Sequence, residues 1–237
     1  MKFKKKRDLN YWLRKIYTSK IYQFFHPNNS LLKKKIFKVI YKSSHWTQSD
    51  SLSDEKVSVS GPGSNINNKS FIHLKENIDN FIQNHKIKLI LDMPCGDFLW
   101  LNEIIKDKNI NYLGIDIVDE LIEENIQKYQ NDNTSFECYD IINYIPSKQF
   151  DLIIMRDFFI HLKNSDIYKI INNLKKMNFK YIALSSSTNK INIDGTIGQH
   201  RKVNLLIEPF NLKKPTLVIN DGEKDKFIYI FKREDLI

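Results

Sequence analysis

Residues 88–100 read KLILDMPCGDFLW, and the fold follows from how this stretch is understood. Lys88 to Asp92 is an apolar run without alternation, as expected of a strand buried on both faces of a parallel sheet. The strand ends in an acid, Pro94 and Gly96 make the turn, and Leu99 to Lys106 resumes with helical spacing. The same unit recurs outward. Asn111 to Asp116 reads as a second strand, again closed by an acid. A helix over Glu120 to Tyr129, a strand over Ser135 to Asp140 and a fourth strand over Phe150 to Arg156 follow. Ser165 to Met177 reads as a helix and Lys180 to Ser185 as a fifth strand. Upstream, Leu74 to His85 is a helix with Ile78, Phe81 and Ile82 on its apolar side. Alternation of this kind implies a parallel sheet with helices on both faces.

The end of the chain breaks the pattern. Pro215 to Ile219 and Lys226 to Phe231 are strand-like, with only residues 220–225 between them. A parallel crossover needs about a dozen residues or more, so this pair is expected to be an antiparallel hairpin. The fold class expected is therefore α/β: a doubly wound, Rossmann-like, mostly parallel seven-stranded sheet ending in an antiparallel hairpin, preceded by a helical extension.

The extension reads as two helices. The first runs from about Asp8 to Phe25 with Leu9, Trp12, Leu13, Ile16 and Tyr17 at helical spacing. His26 to Ser30 breaks it, and Leu31 to Tyr41 resumes with Leu32, Ile36, Phe37 and Ile40. Residues 1–49 hold 13 of the 37 Lys and Arg but one acid, Asp8, for a charge of +12; the rest of the chain carries −3 of the overall +9. Two readings stand: a basic amphipathic anchor on an anionic membrane surface, or helices that cover one edge of the main domain with a solvated lysine face. The expected organisation is residues 1–42 as basic extension, 43–70 as a loop or lid containing SGPGS (60–64), and 71–237 as the main domain.

Composition bounds the function. The chain has 237 residues, 41% hydrophobic and 27% charged, ordinary for a globular protein. Two cysteines, Cys95 and Cys138, exclude a disulfide scaffold, and nothing has the spacing of a structural zinc site. No apolar run approaches the ~20 residues that span a bilayer. A cytoplasmic setting is expected, at the inner face of the membrane if the extension is an anchor. Nucleic acid is disfavoured as partner, because the main domain lacks the positive field such enzymes carry around their clefts.

In open α/β sheets the ligand sits beyond the carboxyl ends of the strands. Three acids stand there: Asp92, Asp116 and Asp140. A dinucleotide turn needs several glycines to cradle a pyrophosphate; this one has a single glycine and two acids, Asp92 and Asp97, which repel phosphate. A ligand with a ribose, a cationic amine and no phosphate fits better, and S-adenosylmethionine is such a ligand. Asp116, 24 residues after Asp92, is near the ~20-residue offset of a ribose-binding acid. Asp140 and Ile141 are suited to bracket an adenine.

The turn DMPCGDFLW (92–100), the strand YLGID (112–116) and RDFFIHL (156–162) after FDLIIM resemble class I S-adenosylmethionine-dependent methyltransferases. More narrowly, they resemble a bacterial and viral subgroup with D-x-P-C-G-D-F in place of the glycine-rich turn. Trp46, SGPGS (60–64) and NLLIEPFNLKKP (204–215) are also similar to that subgroup, so the resemblance spans about Tyr41 to Phe231. It implies S-adenosylmethionine as cofactor, held by Asp92, Pro94, Cys95, Gly96, Asp97, Asp116, Ile117, Asp140, Ile141 and Arg156. It also implies that Arg156, Asp157 and His161 line the methyl-transfer site. Members often serve polysaccharide or glycan modification, which implies a sugar hydroxyl acceptor.

An alcohol acceptor must lose a proton, and His161 is the expected base because an ordinary imidazole titrates near working pH; Asp157 orients it or replaces it. His200 and Arg201 are expected to meet the acceptor. Asp157 and His161 together with Asp194 or His200 lack metal-ligand spacing, so no metal is expected. The alternatives are an RNA methyltransferase and a non-catalytic cofactor-binding protein of the same fold. Arg156-Asp157-Phe158-Phe159 stands where base amino-methylating enzymes carry an Asn/Asp-Pro-Pro-aromatic tetrapeptide.

Overall fold

The computed structural model describes residues 9–26, 29–46, 57–67, 69–222 and 224–236. Asp8, Pro27, Asn28 and residues 47–56 of the expected lid lie outside the described residues. Seven strands form one sheet: β1 (Leu89–Asp92), β2 (Asn111–Asp116), β3 (Thr134–Cys138), β4 (Phe150–Met155), β5 (Phe179–Ser187), β6 (Leu217–Asn220) and β7 (Lys226–Lys232). Their order is β3-β2-β1-β4-β5-β7-β6. The first five pair in parallel, and β7 runs antiparallel to both β5 and β6. The strand order therefore reverses direction between β1 and β4, and the crevice outside their carboxyl ends is the expected ligand site.

Alternate residues of each strand feed opposite faces. Leu91, Ile153 and Met155 join one apolar cluster; Ile90, Leu152 and Ile154 join the other. The second is covered by α4 (Lys69–Asn84) and α5 (Leu99–Ile105), through Leu74, Ile78, Phe81, Leu101 and Ile104. The first is covered by α7 (Asn164–Leu174) and by α3 (Ser30–Lys42), whose Ile36 and Ile40 are fully buried. Full burial of such a side chain stabilises by about 1.5–3 kcal/mol. The third helix of the extension is thus part of the main core.

Four of its five lysines are paired with acids. Lys33 reaches Asp166 of α7 at 3.3 Å with both groups buried. Lys34, Lys38 and Lys42 pair with Asp119 and Glu120, which open α6 (Asp119–Tyr129).

Local differences from the expected elements have local causes. The first helix is two, α1 (Leu9–Tyr17) and α2 (Lys20–Phe25), because the Ser19 hydroxyl accepts from Tyr22 N and caps a new start. β3 stops at Cys138 because the Asp140 carboxylate accepts from Ile142 N and caps a short 3₁₀ turn over Ile141–Asn143. β5 runs on to Ser187 because β7 pairs with it along its whole length from Tyr181. Residues 188–216 between β5 and β6 form no helix. Asn192 donates to Asn204 O and Glu208 O, and Asn204 donates to Asn189 O, so side-chain amides satisfy a backbone that secondary structure does not. A last turn of helix, α8 (Arg233–Leu236), follows β7. No helix among the described residues is long and apolar enough to cross a membrane.

Side-chain hydrogen bonds lock the extension to that irregular segment, and Gln23 makes most of them. Buried Gln23 donates to Ile197 O at 2.9 Å and accepts from Ile197 N at 2.9 Å, and also donates to Tyr17 O. Gln23→Ala leaves these buried groups unpartnered. It should lower stability by about 2 kcal/mol in chemical denaturation and admit protease cleavage within residues 9–26 under native conditions. Unchanged stability and cleavage would show that the helices dock without this bond.

Candidate active site

A cavity of about 780 Å³, its mouth included, opens at the carboxyl ends of β1, β2 and β4. Its floor is the turn after β1: Pro94, Cys95 and Gly96. Gly96 has φ +55°, and a Cβ there would come within 2.4 Å of Ser60 Oγ, so only glycine lets the 57–67 segment lie this close. One wall holds Asp116 and Ile117 from the end of β2 and Asp140, Ile141 and Ile142 after β3. The opposite wall holds Arg156, Asp157, Phe158, His161 and Leu162 after β4. Lys33, Phe37 and Tyr41 of α3, with Trp46, Ser60 and Ser64, close the front.

Asp116 is buried, and its oxygens accept from Gly96 N and Val118 N. Burial pushes its carboxyl up to about 6 although these amides favour the charged form. Asp140 accepts from Ser30 Oγ and Asn143 as well as Ile142 N, which ties α3 to this wall.

Two expected cofactor acids lie outside the lining. Asp92 sits one layer below the floor, 1% exposed, where Tyr112 OH donates to it. Burial pushes it up to about 8 despite that bond, so the group is largely a neutral acid near pH 7. Asp97 grips the front segment instead: its carboxylate accepts from Ser58 Oγ and Val59 N, both at 2.7 Å, while its own N–H donates to Ser60 Oγ.

Arg156 reaches the cavity wall, but its donors are directed elsewhere. They go to Asp221 (2.7 Å), to Gly63 O (2.8 Å) and to Ser64 Oγ, with the guanidinium 4.8 Å over the Trp100 ring. Lys33 and Arg156, the two cations of the lining, are each matched by a buried carboxylate outside it, Asp166 and Asp221. Among the described residues the cavity thus presents carboxylates with no uncompensated cation and no multi-glycine cradle, the donor set expected for a cationic, phosphate-free nucleoside. S-adenosylmethionine fits these residues: Asp116 for its ribose diol, Asp140, Ile141 and Ile142 around its base, and the Pro94–Gly96 floor under its amino-acid part.

His161 and Asp157 each leave one buried atom, Nδ1 and Oδ1, without a partner. The His161 ring stacks on Trp46 at 4.7 Å, and its buried Nδ1 has no partner. Burial pulls His161 down to about 4, well below the near-neutral value expected from the residue type, so the imidazole is neutral across the working range. Asp157, in a left-handed conformation (φ 55°), sits where burial alone would raise its pKa. Lys226 Nζ at 2.7 Å and the neighbouring Arg156 hold it at about 2. A 3₁₀ turn over Phe159–His161 carries the chain from Asp157 to His161.

A second cavity of about 650 Å³ shares one residue with the first, Asp157. It is lined by Ser185, Ser186 and Ser187 of β5 and by Lys202, Lys224 and Lys226, and His200 stands at its edge. Arg201 is not in either lining. Its guanidinium donates to Leu162 O, Ile193 O and Asn164 Oδ1, bonds that hold the 190–201 segment together rather than face an acceptor. Among the described residues no group of three or more His, Cys, Asp or Glu could hold a metal ion.

Residues 90–178 match the family model described as a methyltransferase domain. Over these residues the chain is similar to a methyltransferase domain. Solved structures agree in fold. Magnesium protoporphyrin IX methyltransferase (ChlM) from Synechocystis PCC 6803 with bound SAM is 11% identical, with a TM-score of 0.56 over 88% of this chain and 99% of that one. N-methyltransferase NodS from Bradyrhizobium japonicum WM9 in complex with S-adenosyl-l-homocysteine is 13% identical, with a TM-score of 0.55 over 81% and 97%. An S-adenosylmethionine-dependent methyltransferase from Clostridium acetobutylicum ATCC 824 is 11% identical, with a TM-score of 0.52 over 68% and 91%. At these identities the likeness is one of fold. No curated protein matches the chain in sequence.

The titration of Asp116 sets a measurable pH dependence. If its ionised form is the one that accepts from the ribose hydroxyls, affinity for S-adenosylhomocysteine should be full above about pH 7 and fall as pH drops through about 6. Asp116→Asn should bind more than tenfold more weakly at pH 8 and lose this pH dependence in calorimetric titration. A variant that keeps the wild-type profile would remove Asp116 from the ribose.

Proposed function

We propose that the chain transfers a methyl group to a hydroxyl of a sugar, glycan or other small hydroxylated acceptor, with His161 as the proton acceptor and Asp157 as its electrostatic partner. The observation that carries this reading is the unpartnered, buried Nδ1 of a neutral His161 on the same wall as an ionised Asp157. The cofactor supplies an already activated methyl group, so the residues' task is alignment and proton removal. Asp116, Asp140 with Ile141, and the Pro94–Gly96 floor hold the nucleoside. Cys95, buried and with its thiol raised by burial, packs the floor and is not a nucleophile.

The acceptor hydroxyl donates to His161 Nδ1, which orients an oxygen lone pair toward the methyl carbon. As the new O–C bond would form and the methyl–sulfur bond of the bound cofactor break, leaving a neutral thioether, the hydroxyl proton would become strongly acidic, so a base of about 4 would suffice to take it. The imidazolium that results is stabilised by the Asp157 carboxylate. The second cavity, which meets the first at Asp157 and is lined with serine hydroxyls and lysines, suits a polyhydroxylated acceptor approaching from the β5 side.

Because His161 acts in its neutral form, turnover at saturating cofactor should hold from pH 8 to about 5. It should be lost only as pH falls through about 4, while apparent cofactor affinity already weakens through about 6. His161→Ala should retain cofactor affinity within about twofold and lose at least 100-fold in turnover, the scale of general-base catalysis, on hydroxylated acceptors identified by transfer of labelled methyl. Full turnover in that variant would exclude His161 as the base, and methylation of RNA but of no small acceptor would overturn the substrate class.

A further inference from the structure

The helical extension divides into two parts with different chemistry. Four of the five α3 lysines, Lys33, Lys34, Lys38 and Lys42, are matched by acids of α6 and α7, as described above, and Leu32, Ile36, Phe37 and Ile40 are in the core. The part before it is held through Thr18 and Gln23, but its large apolar side chains are mostly uncovered. On α1, Leu9, Trp12 and Ile16 fall on one helical face and are 72%, 50% and 50% exposed. On α2, Ile21, Phe24 and Phe25 are 74%, 83% and 75% exposed, and Leu31 follows at 61%. α1 buries no residue at all. Seven large apolar side chains exposed within 23 residues are far outside the scattered single exposures normal for a surface.

The charge around them is almost all of one sign. Lys15, Lys20 and Lys35 are exposed, residues 2–7 add five more cations in sequence, and no Asp or Glu occurs from Leu9 to Ser49. A protein partner that buried this face would need an acidic, apolar-grooved surface of its own. An anionic lipid surface supplies both features without shape matching: apolar side chains enter the acyl boundary, tryptophan seats at the interface, and lysines reach the headgroups.

We infer that α1 and α2 form a docking face for an anionic membrane surface, with Trp12, Ile16, Ile21, Phe24 and Phe25 inserted and Lys15 and Lys20 on the headgroups. The inference is independent of the acceptor, and it concerns peripheral contact, since neither helix is long enough to span. It also gives the Gln23 anchor a purpose: the bonds to Ile197, and that of Gln199 Nε2 to Thr18 O, fasten the docked helices to the segment that packs beside His161.

Vesicle co-sedimentation of the full chain tests it. Binding to vesicles containing phosphatidylglycerol should exceed binding to pure phosphatidylcholine vesicles by more than tenfold. It should be lost at about 1 M salt, where the screening length is about 3 Å. Phe24→Ser with Phe25→Ser, and separately Lys15→Glu with Lys20→Glu, should each reduce binding more than tenfold. Both double variants should keep wild-type affinity for S-adenosylhomocysteine, which shows that the fold is intact. Equal or absent binding to the two vesicle types would overturn the inference. So would a chain whose self-association, and not its vesicle binding, is abolished by the phenylalanine changes.

Discussion

The buried guanidinium of Arg156 is the point on which the site depends. From the end of β4 it bonds Asp221 of the hairpin turn, Gly63 O and Ser64 Oγ of the front segment, and rests on Trp100 of α5. Four separately folded pieces therefore meet on one planar cation whose fork of donors suits several fixed acceptors at once. The cluster extends further. Lys226 of β7 lies 3.2 Å from Asp221 and 2.7 Å from Asp157, so the last strand sets the charge state of the residue that separates the two cavities. Such a network is costly to leave partly satisfied, which makes the hairpin and the cavity wall interdependent.

Strand identity and order were legible because each apolar run is short, ends in an acid or a turn, and is separated from the next by helical spacing; the hairpin was legible from the six residues between its strands. Boundaries were less so. The Thr18–Ser19 break in the first helix depends on a cap whose competition with helix continuation is settled by Gln23 reaching Ile197, a contact no local pattern encodes. The length of β5 depends on β7, far away in sequence.

The site divides in the same way. Pro94, Cys95, Gly96, Asp116, Ile117, Asp140, Ile141, Arg156, Asp157 and His161 all face one cavity, and strand ends announce them. Asp92 and Asp97 carry the same signal, yet one is sunk beneath the floor by its Tyr112 bond and the other is turned outward onto Ser58 and Val59. Lys33, Phe37 and Tyr41 left no trace, since a lysine-rich helix reads as solvated until Asp166, Asp119 and Glu120 are known to face it. The hydropathy of α3 showed its apolar side but not the surface that side would cover. Asp221 read only as a turn residue, and its ion pair with Arg156 spans 65 positions.

The front of the cavity is built from the beginning of the chain, while the segment it leans on is made near the end. Gln23 and Ile197 are 174 residues apart, and Ser30 and Asp140 are 110 apart. On the ribosome, Gln23 is made 174 residues before Ile197, a gap of about 9–35 s at elongation rates of about 5–20 residues per second. The sheet surface that receives α3 exists before the segment that receives α2, so the two parts of the extension dock in turn, and the front of the cavity is fastened last by the later one.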